Sequence, residues 1–147
     1  MIKLSYGLSA NVLGFYGVRA MMNRGVIDVY STPRPETPEQ APTGILLGRI
    51  TKNGEPFVAN QGANGLDLIQ RIDGSLGDTG DWFLTGMANG AATWWRWKWM
   101  NYDNDSDSTY YPRMDGDVSD SLILPTRTIT VGLKTKIDEF NLTLGVC

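Results

Sequence analysis

Apolar and polar residues alternate in several segments of this chain, but one early segment follows the period of a helix instead. In residues 8–25 (LSANVLGFYGVRAMMNRG), four apolar side chains fall on one helical face: Leu8, Val12, Phe15 and Met22. Ser9 is a suitable N-cap, and Gly25 is a suitable residue just past the last turn. We therefore predict one helix over about residues 8–24.

Six later segments have the alternation, or the β-branched and aromatic content, that is typical of strands. They are residues 26–31, 44–51, 65–73, 93–102, 121–132 and 135–145, with an irregularity expected near Glu139. Asn53-Gly54 is a tight-turn signal, and glycine-rich turns rather than helices separate the strands. This pattern predicts one domain over residues 1–147 that is all-β: an antiparallel β-sandwich of the jelly-roll type with one N-terminal helix.

Residues 32–43, here called the proline loop, contain four of the seven prolines of the chain. Proline lacks the N–H that a sheet needs, so an extended surface loop is expected. It is either a plain connector or an arm that, with residues 1–6, reaches a neighbouring subunit or a capsid shell. As an arm it would be dispensable for folding, and deletion of residues 35–41 would leave the domain folded. The partner-binding candidates in it are Pro33, Arg34, Pro35 and Pro38.

The amino-acid composition excludes several classes of function. The chain has no histidine, a single cysteine at Cys147 and a net charge of −3. Without histidine, Ser-His-Asp and Cys-His catalysis are impossible, and no phosphate-binding loop is present. We therefore expect no enzymatic activity and no cofactor. With no basic face and no apolar segment of spanning length, we also expect no nucleic-acid partner and no membrane association.

The segment WWRWKW, residues 94–99, contains four tryptophans. In a strand, Trp95, Trp97 and Trp99 point to one face, and Trp94, Arg96 and Lys98 to the other. One interpretation is a core strand, since large aromatics are usually buried. The other is an exposed strip that binds sugar rings or a protein partner. Under the second interpretation, the partner-binding candidates are Trp94, Arg96 and Lys98.

Three aspartates follow directly in the sequence DNDSD, at Asp103, Asp105 and Asp107. Their spacing matches the start of a calcium-binding loop, which makes them weak candidates for metal ligands. The rest of that pattern fails, since Ser108 stands where glycine is needed and Met114 where a bidentate glutamate belongs. The simpler interpretation is a solvated acidic loop that a cation or a basic partner would help to order.

The order of several short motifs resembles that of a group of small tailed-bacteriophage virion proteins encoded among head genes. In that group a helix precedes a strand ending Tyr-Ser, a proline-bearing loop, a Gly-x-Leu-Leu strand, an aromatic strand, a Pro-Arg-x-Asp-Gly segment and a closing strand. The corresponding positions here are Val29-Tyr30-Ser31, Gly44–Leu47, Trp95-Arg96, Pro112–Gly116 and Ile137–Leu144. This chain departs from the group in its tryptophan density and in its acidic loop.

The resemblance implies a structural role in the virion. We expect a capsid decoration or cement protein that binds the major capsid protein, forms a homo-oligomer and is assembled in the host cytoplasm. Two alternatives stay open. One is a carbohydrate-binding module with a tryptophan platform, and the other is a structural component of the tail or neck.

Overall fold

The computed structural model describes residues 1–14, 17–52, 54–56, 60–62, 65–69, 82–119, 122–137 and 139–142. The described residues form two short helices, α1 (Tyr6–Gly14) and α2 (Val18–Met22). They also form thirteen strands: β1 (Lys3–Leu4), β2 (Gly25–Tyr30), β3 (Leu46–Lys52), β4 (Asn60–Gly62), β5 (Gly65–Ile69), β6 (Trp82–Gly86), β7 (Gly90–Ala91), β8 (Trp94–Trp99), β9 (Arg113–Asp117), β10 (Leu122–Ile123), β11 (Thr128–Ile129), β12 (Lys134–Lys136) and β13 (Glu139–Leu142).

The fold is mostly β and antiparallel, as predicted. Seven strands form the main sheet in the order β1-β9-β8-β2-β3-β6-β12, in which every neighbouring pair is antiparallel. Four more form a sheet in the order β10-β13-β5-β4, and β11 pairs with β7. The main sheet is open, with β1 and β12 at its two edges.

The predicted single helix over residues 8–24 is wrong in its bounds, because the structure has two helices there. The first begins three residues before the predicted cap. The Ser5 hydroxyl accepts a hydrogen bond from the Leu8 N–H at 3.1 Å, so Ser5 rather than Ser9 is the N-cap of α1. The second helix starts after Gly17, whose backbone is extended.

Gly25 does not terminate a helix but begins β2. A Cβ atom at this position would lie 1.8 Å from Nε1 of Trp97, so glycine is needed for the close approach of the indole.

Four of the strand predictions are confirmed, by β2, β3, β5 and β8. The predicted strand at 121–132 contains two shorter ones, and the one predicted at 135–145 overlaps two, of which β12 begins one residue earlier. Pro125 lies between β10 and β11, where its missing N–H would break a ladder. The irregularity expected near Glu139 corresponds to the register shift between Phe140 and Asn141 in the pairing of β13 with β5. Residues 70–73, the end of one predicted strand, lie outside the described residues.

Three strands of the main sheet, β1, β6 and β9, were not predicted. The β9 sequence, RMDGD, is too polar to suggest a strand by its composition, yet its first four residues are buried. This strand lies between β1 and β8.

The two faces of the main sheet differ in chemistry. One face carries core residues that include Ile27, Val29, Trp95, Trp97 and Met114. Phe140 of the four-stranded sheet belongs to the same cluster, and its ring meets Trp95 edge-on with a centroid distance of 5.0 Å. The core interpretation of Trp95 and Trp97 is therefore confirmed, and Trp99 packs half-buried against the cluster. The opposite face carries charged side chains, and it holds the candidate site.

Candidate functional site: a buried charged layer beneath two loops

A row of alternating charges crosses four neighbouring strands of the main sheet. Asp28 on β2 lies opposite Arg49 on β3 and Arg96 on β8, and Arg96 lies opposite Asp115 on β9. Because side chains alternate along a strand, these four residues share the face opposite the tryptophan core. Cross-strand neighbours of opposite charge stabilise a sheet, so the register itself pairs these groups.

The ion pairs in this row have two-point geometry. Arg96 Nε and Nη2 donate to the two carboxylate oxygens of Asp115 at 2.7 and 2.8 Å, and both side chains are buried. Arg49 donates in the same way to Asp28 at 2.5 and 2.8 Å. Fork-like pairing of guanidinium with carboxylate is the strongest arrangement available to these residue types.

The acidic loop, residues 100–112, supplies the counter-charges for the other two cations. Asp103 accepts two hydrogen bonds from Arg113, at 2.5 and 2.6 Å, and the two side chains are fully buried. Asp105 accepts a hydrogen bond from the ammonium group of Lys98. The same Lys98 Nζ atom lies 3.2 Å from Asp28 Oδ2.

We call the resulting set the charged layer. Its members are Asp28, Arg49, Arg96, Lys98, Asp103, Asp105, Arg113 and Asp115.

The proline loop covers the charged layer. Arg113 Nη1 donates to the carbonyl oxygens of Pro38, Glu39 and Gln40 at 3.2 to 3.3 Å. Arg96 Nη1 donates to the same Gln40 carbonyl at 2.9 Å. The two loops also bond to each other, through Ser108 N to Glu39 O at 2.8 Å. The proline loop is therefore docked on its own domain and is not a free arm, and Pro35 and Pro38 are buried.

The N-terminal residues contact the proline loop as well. The ammonium group of Lys3 donates to the Glu36 carbonyl, and the Tyr6 N–H donates to Glu39 Oε1 at 2.7 Å. Arg34 forms an ion pair with Asp117 at 3.0 Å. The two segments proposed from the sequence to act together thus lie side by side.

Burial changes the protonation behaviour of two groups in and next to the layer. Burial raises the pKa of the Asp115 carboxyl, while its hydrogen bonds from Arg96 act in the opposite direction. Burial, together with the negative charges of Asp28 and Asp105, raises the pKa of the Tyr30 phenol well above its ordinary value. The Tyr30 ring stacks on Trp94 at a centroid distance of 4.4 Å.

Trp94, Arg96 and Lys98 are not the exposed surface that a partner-binding role would require. All three are buried, and their polar atoms are used within the chain. Trp94 Nε1 donates to the Ser31 carbonyl at 2.8 Å, while Arg96 and Lys98 are neutralised by aspartates. The physical reason is that two loops cover this face of the sheet, which the pattern of a single strand cannot reveal.

The three candidate metal ligands each have a different protein partner. Asp103 pairs with Arg113, Asp105 pairs with Lys98, and Asp107 accepts a hydrogen bond from the Ala41 N–H at 2.6 Å. In the described part of the chain, no group of three or more acidic, histidine or cysteine side chains is arranged to hold a metal ion. The basic partner that would order this loop is therefore the sheet of the same chain.

Pro33 and Arg34 lie on the outer side of the proline loop, where Pro33 is exposed. An open depression in this surface is lined by Pro33, Arg34, Pro35, Glu36, Gln40, Ala41, Thr43 and Asp107. Three of the four partner-binding candidates in the loop thus line one surface feature, and the fourth, Pro38, is buried.

Sequence reasoning missed Asp28, Arg49, Arg113 and Asp115 as members of one cluster. One signal was present: VIDVY places a single carboxylate between β-branched residues in a strand, and RWK places two cations in another. A charge at such a position requires a partner when both faces are covered. The identity of the partner depends on the register of strands that are far apart in sequence.

Neither described helix approaches the length needed to cross a bilayer, since the longer one has nine residues. Comparisons of this chain with protein-family models, with curated proteins and with solved structures gave no match.

Proposed function

We propose that this chain is a non-enzymatic structural protein of a tailed-bacteriophage virion, a capsid decoration or cement protein that binds the major capsid protein. The order of motifs in the sequence supports this role. So does the chemistry of the charged layer, in which each charged side chain pairs with another of the same layer. These buried ion pairs fix the proline loop and the acidic loop on the sheet. A protein that binds a partner through a loop needs that loop to be held in one conformation.

The observation that carries the proposal is the docked proline loop. Four hydrogen bonds from two buried guanidinium groups fix its backbone at residues 38–40. Its outer residues stay exposed, among them Pro33, Glu36 and Thr43. A loop that is already fixed loses little conformational entropy when it docks, so it is a favourable surface for a large, flat partner.

We assign shell binding to the depression in the proline loop. Its lining is proline, alanine and threonine together with a few charged groups, which suits a protein partner. Ala41 lies in the lining and is half-buried, so a long side chain there would fill the depression.

The test is co-sedimentation of the purified chain with phage heads that lack their decoration protein. Binding to heads is expected, and Ala41→Arg should abolish it. The matched control is Ala10→Arg, which places the same side chain at an exposed position of α1. Binding to tails or necks but not to heads would replace the capsid role by the tail or neck alternative. Binding to no virion component would refute the proposal.

The absence of catalysis is part of the same proposal. A broad hydrolase screen should show no turnover. Turnover that disappears on substitution of one particular Asp or Glu would contradict it.

The carbohydrate-binding alternative gains no support from the aromatic strand. Trp94, Trp95 and Trp97 are buried, and Trp99 is only partly exposed. The platform that this alternative needs is therefore not on the surface of the domain.

We further propose that the seven-stranded and four-stranded sheets are the two layers of a β-sandwich of the jelly-roll type. The contact between Trp95 and Phe140 supports this arrangement, as does the shared core cluster that includes Leu122 and Ile137. In sandwiches, side chains from the two inner faces interdigitate in this way.

A further inference from the structure

We infer that this chain self-associates head to tail, with the β12 edge of one copy against the β1 edge of the next. This inference does not rest on the proposed function, because it concerns the free chain in solution; the β1 patch and the depression assigned to shell binding share Glu36. It rests on two surface patches at opposite edges of the main sheet that differ in charge and are both partly apolar.

The edges themselves are open in the described part of the chain. There β1 pairs only with β9, and β12 pairs only with β6. Since neighbouring strands are about 4.8 Å apart, six spacings separate the two edges by roughly 29 Å. An open edge presents unpaired backbone N–H and C=O groups that another chain can use.

The first patch, called the β12 patch, consists of Met87, Val131, Leu133, Lys134 and Lys136. The three apolar residues are 54% to 60% exposed, and they are held together around Gly86. Gly86 donates to the Leu133 carbonyl at 2.8 Å, and the Gly132 N–H donates to Gly86 at 2.9 Å. The two lysines are exposed, and neither has an ion-pair partner among the described residues.

The second patch, called the β1 patch, consists of Leu4, Tyr6, Glu36, Glu39 and Tyr110. Its aromatic rings are the more exposed, at 74% for Tyr6 and 81% for Tyr110. The two segments touch, because a Cβ atom on Gly7 would lie 2.3 Å from the Tyr110 carbonyl oxygen. Tyrosine is a frequent anchor in protein interfaces, and exposed aromatic side chains beside carboxylates suit a basic partner.

Charge determines which edges can meet. Two lysine-bearing β12 edges repel each other, and lysine at an edge is a known protection against pairing of like edges. The same lysines are complementary to the carboxylates of Glu36 and Glu39 in the β1 patch. Lys3, the cation on β1 itself, donates its ammonium group to the Glu36 carbonyl. Because the two patches lie at opposite edges, their contact is heterologous, which produces a closed ring or an open chain of copies.

The experiment is sedimentation analysis of the whole chain over a concentration series. An assembly larger than a monomer is expected, and it should weaken as salt is added because exposed charges are screened. Lys134→Glu/Lys136→Glu should be monomeric at concentrations at which the unaltered chain is assembled. Lys134→Arg/Lys136→Arg keeps the charge and should assemble normally.

A mixing experiment separates head-to-tail contact from symmetric contact. Tyr6→Ala/Tyr110→Ala removes the two aromatic anchors of the β1 patch and adds no cation that could attract the carboxylates of the first variant, so it should also be monomeric alone. Mixed with Lys134→Glu/Lys136→Glu, it should form a one-to-one dimer that grows no further, because each variant retains one intact patch. The inference is overturned by a monomeric unaltered chain up to millimolar concentration, by assembly of either double variant alone, or by failure of the mixture to dimerise.

Discussion

Trp97 shows what a single residue contributes to this domain. It is fully buried on the hydrophobic face of β8, and its indole packs against the backbone of Gly25, which has no side chain. Its Nε1 atom is buried and has no hydrogen-bond partner in the described structure. Its contribution to stability therefore comes from packing and not from polar contacts.

We expect Trp97→Ala to lower the free energy of unfolding by roughly 3–5 kcal/mol, as for other buried large aromatics. Trp97→Phe is the matched control. It keeps an apolar ring and gives up no hydrogen bond, so it should cost clearly less. Urea denaturation of the three proteins gives the comparison. An unchanged melting temperature for Trp97→Ala would mean that the side chain is not part of the core.

Tyr30 is the residue whose titration links pH to stability. Burial raises its pKa, so the folded protein retains the phenol proton at pH values where the unfolded chain, with an ordinary pKa of about 10, loses it. Above about pH 10 the folded state then binds more protons than the unfolded state, and stability falls as the pH rises. Below about pH 10 the Tyr30 phenol is protonated in both states, so its contribution to stability no longer changes with pH.

We expect Tyr30→Phe to reduce the loss of stability between about pH 8 and about pH 11. Urea denaturation of both proteins at the two pH values measures this loss of stability. Comparing the two proteins cancels the contribution of the other tyrosines and of the lysines, which is the same in both. An equal loss in both proteins would show that Tyr30 ionises normally in the folded state.

At the scale of elements, the proline loop and the acidic loop are parts of one folded unit with the main sheet. Each loop would be unstable alone, since one is rich in proline and the other in aspartate. Arg113 joins them by bonding to Asp103 and to the Ser106 carbonyl in one and to three carbonyls in the other. Buried guanidinium groups need these acceptors, because an unpaired charge in a covered site is costly.

Deletion of residues 35–41 should therefore destabilise the domain, contrary to the expectation for a free arm. It removes three carbonyl acceptors from Arg113 and one from Arg96, and we expect a loss of about 3 kcal/mol or more. Thr37→Ala is the control, because Thr37 is exposed and the change should cost less than about 0.5 kcal/mol. Thermal melts decide between the two views. A deletion variant as stable as the intact chain would restore the free-arm interpretation.

At the scale of the whole molecule, the main sheet has a hydrophobic face and a charged face, and each is covered by a different part of the chain. The hydrophobic face meets Phe140 and Leu122 of the smaller sheet. The charged face meets the two loops. The two edge strands of the same sheet, β1 and β12, each pair with one neighbour among the described residues.

The contact between the sheets can be measured by a double-mutant cycle between Trp95 and Phe140. We expect Trp95→Phe and Phe140→Leu to be coupled by about 0.5–1.5 kcal/mol, as for aromatic pairs in edge-on contact. Trp95→Phe with Leu8→Ala serves as the control pair, in which Leu8 lies in the core but on a helix. Additive effects for Trp95 and Phe140 would argue against the two-layer arrangement.

The sequence by itself determined the class of the fold and the character of its core. Alternation in VIDVY and WWRWKW predicts strands, and one of the two interpretations of WWRWKW places Trp95 and Trp97 in the core, where the structure has them. These features depend on the two-residue period of a strand, which is local and can be read along the chain. The lack of histidine is equally local and removes whole classes of catalysis.

Only the tertiary structure decided what the charged residues do. Arg96 and Asp115 are 19 positions apart, and Arg113 and Gln40 are 73 apart, so no local pattern could pair them. The sequence around an aspartate in an acidic stretch does not indicate whether its carboxylate contacts water, a metal ion or an arginine. Strand register and the docking of two loops paired these carboxylates with arginine and lysine, which produced a covered, neutral layer that no local pattern in the sequence indicated.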